Sequence, residues 1–322
     1  MASREELTGI SVFFFLFVIV GCFTNLIAII TFIKYRKTML QQSKDLLLFS
    51  IALGDLTQSI FAVPLSLTSV IAGRWLWGDE GCYIYAFVTS WTGLSNIAHF
   101  SIVAVERLTT LKSPTVFLIS KKRIIKWIVF IWFVTFIVAS LPLFGWSSYT
   151  YEGYGLHCSI FWESKTTGNL TYCLFLLVVF FVVPVGSIIF SNAKLYVTVN
   201  IMYKNANSMW GANAPATKQS YFAQVKVAQQ FTAMTLAFLA VWSPYAALSF
   251  ARVVLNTNLS SKVREYPSMF AKTGVLWNPT IYFYLYRKLR KRAIDMLKCR
   301  SLNSVQEVPR DRAIAMEDAT IQ

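Results

Sequence analysis

The chain has 322 residues, of which 56% are hydrophobic, 16% aromatic and only 14% charged. A soluble domain carries about 25% charged residues, so this balance excludes an ordinary water-soluble globule and points to a multi-span membrane protein. The net charge of +15 excludes little by itself, but its lysines and arginines are spread between apolar runs, which argues for membrane flanks and against a nucleic-acid surface.

Seven apolar runs long enough to cross a bilayer as helices occur at about 10–33, 46–71, 82–107, 124–145, 171–199, 225–254 and 266–286. Membrane strands would instead alternate in segments of about ten residues. The predicted fold is therefore an all-α membrane protein, a seven-transmembrane helix bundle. With the N-terminus extracellular, 23 of the 30 lysines and arginines fall in or beside the inner loops and the tail, as the positive-inside rule requires. The first run is expected to act as a signal anchor, because the acidic "REE" start does not resemble a cleavable leader.

Taken in chain order, span one carries Asn25 and span two carries Asp55 within "SIALGDL". A carboxylate at that depth must face the bundle interior, and Asn25 and Asn278 are its expected partners. Such a cluster serves equally as structural glue or as a switch. Span three starts at Cys82, contains Gly93 and a bundle-facing His99, and closes on Glu106–Arg107. Cys158, in the second outer loop, shares the oxidising side with Cys82, so a disulfide between them is expected. Cys22 and Cys173 read as small hydrophobes. Sequons at Asn169 and Asn258 lie in outer loops near the membrane, and their glycosylation is left open.

The stretch "NIMYKNANSMWGANAPATKQSYFAQ", 200–224, reads as the third inner loop. Span six contains "VWSPY", Val241 to Tyr245, and span seven contains "NPTIY", Asn278 to Tyr282. Pro244 and Pro279 each remove a helical hydrogen bond and favour a kink. Residues 1–286 would form the receptor domain, 287–298 a short amphipathic helix 8 on the inner membrane surface, and 299–322 a flexible cytoplasmic tail. Cys299 is a palmitoylation candidate at that boundary.

Lys272 lies about two helical turns inside the seventh run. An ammonium at such depth costs about 2.5–3.5 kcal/mol or more and needs a reason. Snorkelling to the interface would strain the side chain there. Burial among apolar groups makes a neutral, nucleophilic amine accessible. Phe238, Trp242 and Tyr245 recur at helical spacing on one face of span six and supply an aromatic wall.

Taken together, "NLIAI", "LGD", "ERL", "WSPY", "NPTIY" and the Cys82/Cys158 pair resemble the rhodopsin-like G-protein-coupled receptors, from about residue 12 to 299. A lysine six residues before the NPxxY asparagine, as Lys272 stands before Asn278, resembles the opsins, which bind retinal there as a protonated Schiff base. The resemblance implies a light-activated receptor of the cell membrane, multi-pass and not an enzyme, with a heterotrimeric G protein as partner. Arrestin and a receptor kinase would be further partners, although the tail offers few hydroxyls (Ser301, Ser304 and Thr320). It also implies that Gly93 lines the pocket, that Arg107, paired with Glu106, is an inner lock and G-protein contact, and that Trp242 and Tyr282 are switch elements. Leu108 stands where this family usually has tyrosine.

The vertebrate visual counterion position, three residues after the span-three cysteine, is Tyr85, which carries no charge at neutral pH. The family's alternative, a glutamate six residues before the loop cysteine, is matched by Glu152 in "EGYGLHC". Asp79, Glu80, Glu163 and Glu265 are rivals on the same side. A tyrosine with a loop glutamate implies a bistable, non-visual or invertebrate type. The tripeptide "YRK", Tyr286 to Lys288, matches neither common visual pattern and leaves the coupled G protein open. Two other readings stay open: an opsin-family retinal photoisomerase without signalling, and a receptor for a diffusible ligand. A transporter is disfavoured, because no inverted repeat is visible.

Overall fold

A computed structural model describes residues 3–112, 120–210, 215–255, 257 and 259–298. Cys299, the tail hydroxyls and Asn258 lie outside the described residues. Helix α1 (Arg4–Lys34) opens on a capping box, with Ser3 and Glu6 each accepting from the other's backbone N–H. A single turn, α2 (Arg36–Met39), leads into span two, which is two helices, α3 (Ser43–Phe61) and α4 (Val63–Ala72). The break falls at Ala62 because Pro64 cannot continue the hydrogen-bond ladder. Gly73, at φ 68°, ends α4 in the left-handed conformation that glycine adopts without strain.

Span three is α5 (Gly78–Lys112) and span four is α6 (Lys121–Ser140), extended by a 3₁₀ turn at Leu141–Phe144. The second outer loop folds into an antiparallel hairpin, β1 (Tyr149–Glu152) and β2 (His157–Ile160), with Glu152 opposite His157. Span five is α7 (Thr167–Leu177) and α8 (Val183–Trp210), joined by a π-helical turn at Val178–Val182 just before Pro184. Span six is α9 (Pro215–Val253). Span seven divides into α10 (Ser261–Lys272) and α11 (Gly274–Leu285), and α12 (Arg287–Leu297) follows with Leu289 and Ala293 buried.

The interior is more polar than that of a soluble protein and the exterior less so. Asp55, Ser95, His99 and Asn278 are buried, whereas Phe15, Phe23, Val129, Phe133, Val182 and Phe190 face outward, as suits a lipid solvent. Among the described residues, five helical segments are long and apolar enough to cross a membrane: Arg4–Lys34, Ser43–Ala72, Lys121–Phe144, Thr167–Asn205 and Thr232–Val253. Spans three and seven complete the bundle and carry its central polar groups, including Asn96, His99, Lys272 and Asn278. Span three touches spans two, four, five and six as well as both strands.

Two expectations need correction. The segment read as the third inner loop is mostly helix, because α8 runs on to Trp210 and α9 begins at Pro215. Polar residues end the apolar run there without ending the helix, since an aqueous helix needs no lipid-facing surface. The seventh run is also not one continuous helix, but pauses at Thr273, immediately after the lysine.

Candidate functional site

A cavity of about 140 Å³, taken as the volume open to the centre of a water molecule, lies between spans three, five, six and seven under the hairpin. Its walls are largely apolar and include Gly93, Phe180, Phe238, Trp242 and Tyr245, with Lys272 at the outer end beside Glu152. Hydrogen at Cα is what lets Trp242 approach Gly93, because a Cβ built there would stand 3.0 Å from the indole ring. Trp242 stacks on Phe238 with ring centroids 5.8 Å apart and meets Tyr245 edge-on at 6.4 Å. The Cys82–Cys158 disulfide is present and fastens β2 to the start of α5, which places the hairpin as the roof of the cavity.

The polar end is built around one serine. Lys272 Nζ donates to Ser268 Oγ at 2.8 Å, one helical turn back, and Ser268 Oγ donates to Glu152 Oε2 at 2.8 Å. Glu152 is buried, and Tyr245 OH and Arg252 Nη1 each lie 3.5 Å from it. Burial alone would raise the Glu152 carboxyl, but the His157 hydrogen bond, the charges of His157 and Lys272, and Ser268 outweigh it and hold it down at about 2. Tyr85 presents its ring face to Lys272, with Nζ 5.8 Å from the centroid.

Of the rivals to Glu152, Asp79 accepts from Tyr151 on the surface, and Glu163 pairs with Arg252 and Arg264 at the rim. Glu80 is exposed. Glu265 alone among them is fully buried, 3.3 Å from His157 Nδ1. Sequence reasoning gave no role to His157, Ser268 or Arg252, yet these three connect Glu152 to everything around it. The available signal was the hairpin itself: two glycines in "EGYGLH" pair Glu152 across the turn with His157.

Deeper in the bundle, Asp55 accepts from Asn96 at 2.7 Å and from Asn278 at 2.8 Å. The expected contact with Asn25 is corrected, since Asn25 spans from the Gly21 carbonyl to the Val275 carbonyl and accepts from Tyr282 OH at 3.0 Å. Asn96 occupies the place expected for Asn25, where its side chain lies against Gly54 of α3. Pro279 is buried one residue along α11. At the inner face Glu106 binds its neighbour Arg107. His99 is buried between Ser50 and the Ser95 carbonyl, well away from the lysine cluster in this network.

A family model described as "7 transmembrane receptor (rhodopsin family)" matches residues 24–282, and the chain belongs to that family. Parapinopsin of Ictalurus punctatus is 28% identical over 282 residues, covering 87% of this chain and 79% of its own length. Peropsin of Mus musculus, a visual pigment-like receptor, is 26% identical over 313 residues, covering 95% of this chain and 89% of its own. The crystal structure of squid rhodopsin superposes with a TM-score of 0.82 at 24% identity, over 96% of this chain and 94% of that one. The protein is an animal opsin, a light-activated receptor and not an enzyme.

Proposed function

We propose that Lys272 is the retinal attachment site and Glu152 its counterion, in a receptor that activates a heterotrimeric G protein from the inner face. One observation carries the reading: a buried amine and a buried carboxylate meet on one serine hydroxyl at the end of an aromatic cavity. These residues fit such a group, because the cavity walls are largely apolar and its cation-bearing end, at Lys272, lies against the Glu152 carboxylate. Retinal condensed through its aldehyde with the Lys272 amine, with loss of water, supplies light absorption and a change of shape.

The chain's own residues do the rest. Glu152 balances positive charge on the Lys272 nitrogen, and Ser268 fixes the distance between them. The disulfide-fastened hairpin keeps water from the amine. Gly93 and Phe238 hold Trp242 in close contact, so a change of shape in the cavity moves the indole and the helix carrying it. Pro244, two residues further along α9, is the flexible point. Outward motion of the inner half of α9 uncovers Arg107, and a G protein that prefers the opened form selects it.

The test is an absorption spectrum, dark and illuminated, of the expressed protein given cis-retinal. Wild type should show a visible band, which Lys272→Ala should abolish. Glu152→Gln should move it to the ultraviolet at a lower pH than wild type. Light-dependent nucleotide exchange on a purified G protein, lost in Arg107→Ala, checks the inner face. A folded protein with no visible band would overturn the reading.

A further inference from the structure

His157 stands between two carboxylates. Its Nε2 is 3.1 Å from Ser268 Oγ and 3.5 Å from Glu152 Oε2, and its Nδ1 is 3.3 Å from Glu265 Oε1. The single proton of the Ser268 hydroxyl is given to Glu152, so it is not available to His157. Nε2 must therefore donate. Nδ1 faces a carboxylate oxygen, and a bare lone pair there would repel it. The arrangement is satisfied only if a further proton lies between Nδ1 and Glu265, on one side or the other. All of these groups are buried, which makes an unbalanced charge expensive.

Every neighbouring element contributes to the balance. Glu152 comes from β1, Glu265 and Lys272 from α10, Arg252 and Tyr245 from α9, and Tyr85 from α5. Glu163, at the rim, takes the other side of Arg252. Glu152 faces Lys272 and Arg252, Glu163 is shared at the rim by Arg252 and the part-buried Arg264, and His157 and Glu265 form a pair that is neutral while it holds its proton. The remaining oxygen of Glu265 accepts from the Tyr154 N–H at 2.9 Å, which anchors the carboxylate. Glycine at 153 makes room for it, since a Cβ there would fall 2.0 Å from Glu265 Oε2.

We propose that Glu265 is a second counterion carboxylate of the lysine site, masked by the proton it shares with His157. Loss of that proton adds one negative charge to the site. Removal of the imidazole exposes the charge permanently. This inference rests on the pigment reading above, but the pair itself exists without retinal.

Two experiments test it. Only two histidines occur in the chain, His99 and His157, so ¹⁵N-histidine NMR of the retinal-free protein in lipid can be assigned with His99→Asn. His157 should remain doubly protonated at pH 7.5 in the wild type and lose that proton in Glu265→Gln. Identical His157 titrations in both would overturn the shared proton. In the retinal-loaded protein, Glu152→Gln should bring the visible-to-ultraviolet transition down in pH. Adding His157→Asn should move it back up by about one pH unit, a tenfold change in proton affinity, and further adding Glu265→Gln should cancel that recovery.

Recovery that persists without Glu265, or no recovery in a protein that still forms a visible band, overturns the proposal and leaves the Lys272–Glu152 reading standing. No band in the wild type overturns that reading instead, and the NMR result still decides the pair.

Discussion

Tyr286 OH donates to Asp45 Oδ1 at 2.6 Å, tying the junction of α11 and α12 to the first turn of α3. Asp45 is fully buried and, among the described residues, its second oxygen accepts no hydrogen bond, so the tyrosine is a large part of what makes the carboxylate tolerable there. Tyr286→Phe should cost about 1–3 kcal/mol, the penalty for an unsatisfied buried group. Thermal unfolding of the retinal-free protein in detergent should show it, and Asp45→Asn in the same background should recover part of the loss. An unchanged midpoint in Tyr286→Phe would refute the tie.

The depressed Glu152 carboxyl sets an acid limit. Its folded value of about 2 lies below the ordinary 4.5, so its contribution to stability is complete above pH 4.5 and is lost as pH falls towards 2. The visible band should therefore survive acidification from pH 7 to 5 and the dark protein should lose thermal stability below that. Glu152→Gln should flatten this acid limb.

The alkaline limb has the opposite sign. Burial works to lower the His157 value, but the Glu265 charge and hydrogen bonds to both carboxylates raise it above 6.5 despite the Lys272 charge. Its contribution is complete below pH 6.5 and is lost as pH rises through the raised value. Thermal midpoints measured from pH 6 to 9 should fall in the wild type and stay level in His157→Asn.

Gly153→Ala should be more harmful than its size suggests. The residue sits at φ 60°, where a side chain is strained, and the added methyl would collide with Glu265. A loss of about 1–3 kcal/mol is expected from the backbone alone. The roof hairpin should loosen with it, seen as faster hydroxylamine attack on the loaded pigment.

Asn169 should carry no glycan despite its sequon. Its side-chain amide donates to the carbonyls of Phe161 and Ser164 at 2.7 and 2.8 Å, and Ser147 donates to its oxygen. Asn169→Gln should destabilise the second outer loop without changing the electrophoretic mobility of the untreated protein. A mobility shift would show that the asparagine is accessible during synthesis.

Much of this architecture is legible in the residues. Among the described residues apolar length alone marks five of the seven runs, the third and seventh being diluted by their polar groups, and Lys272 is conspicuous because charge in lipid is costly. Glu152 is singled out by the resemblance to the opsins, through its place six residues before Cys158. What spacing cannot supply is the partner across the fold: His157 meets Ser268 over 111 positions, and Arg252 meets Glu152 over 100. Asn96 was hidden for the same reason, since a polar residue on an inward helix face gives no sign of which neighbouring helix it will reach. Hydropathy misses the inner helix ends because it reports where lipid stops, and the hydrogen-bond ladder continues past that point.

The length of α9 has a mechanical consequence. Pro244 lies near its outer end, 29 residues on from Pro215. At about 1.5 Å per residue that inner arm is about 43 Å long, so a swivel of about 10° at the proline carries its tip about 8 Å. An indole displaced by little more than a bond length can thus govern access for an entire protein domain. In the proposed mechanism the inner overhang, which looks like surplus in an apolar span, becomes the long arm of a crank.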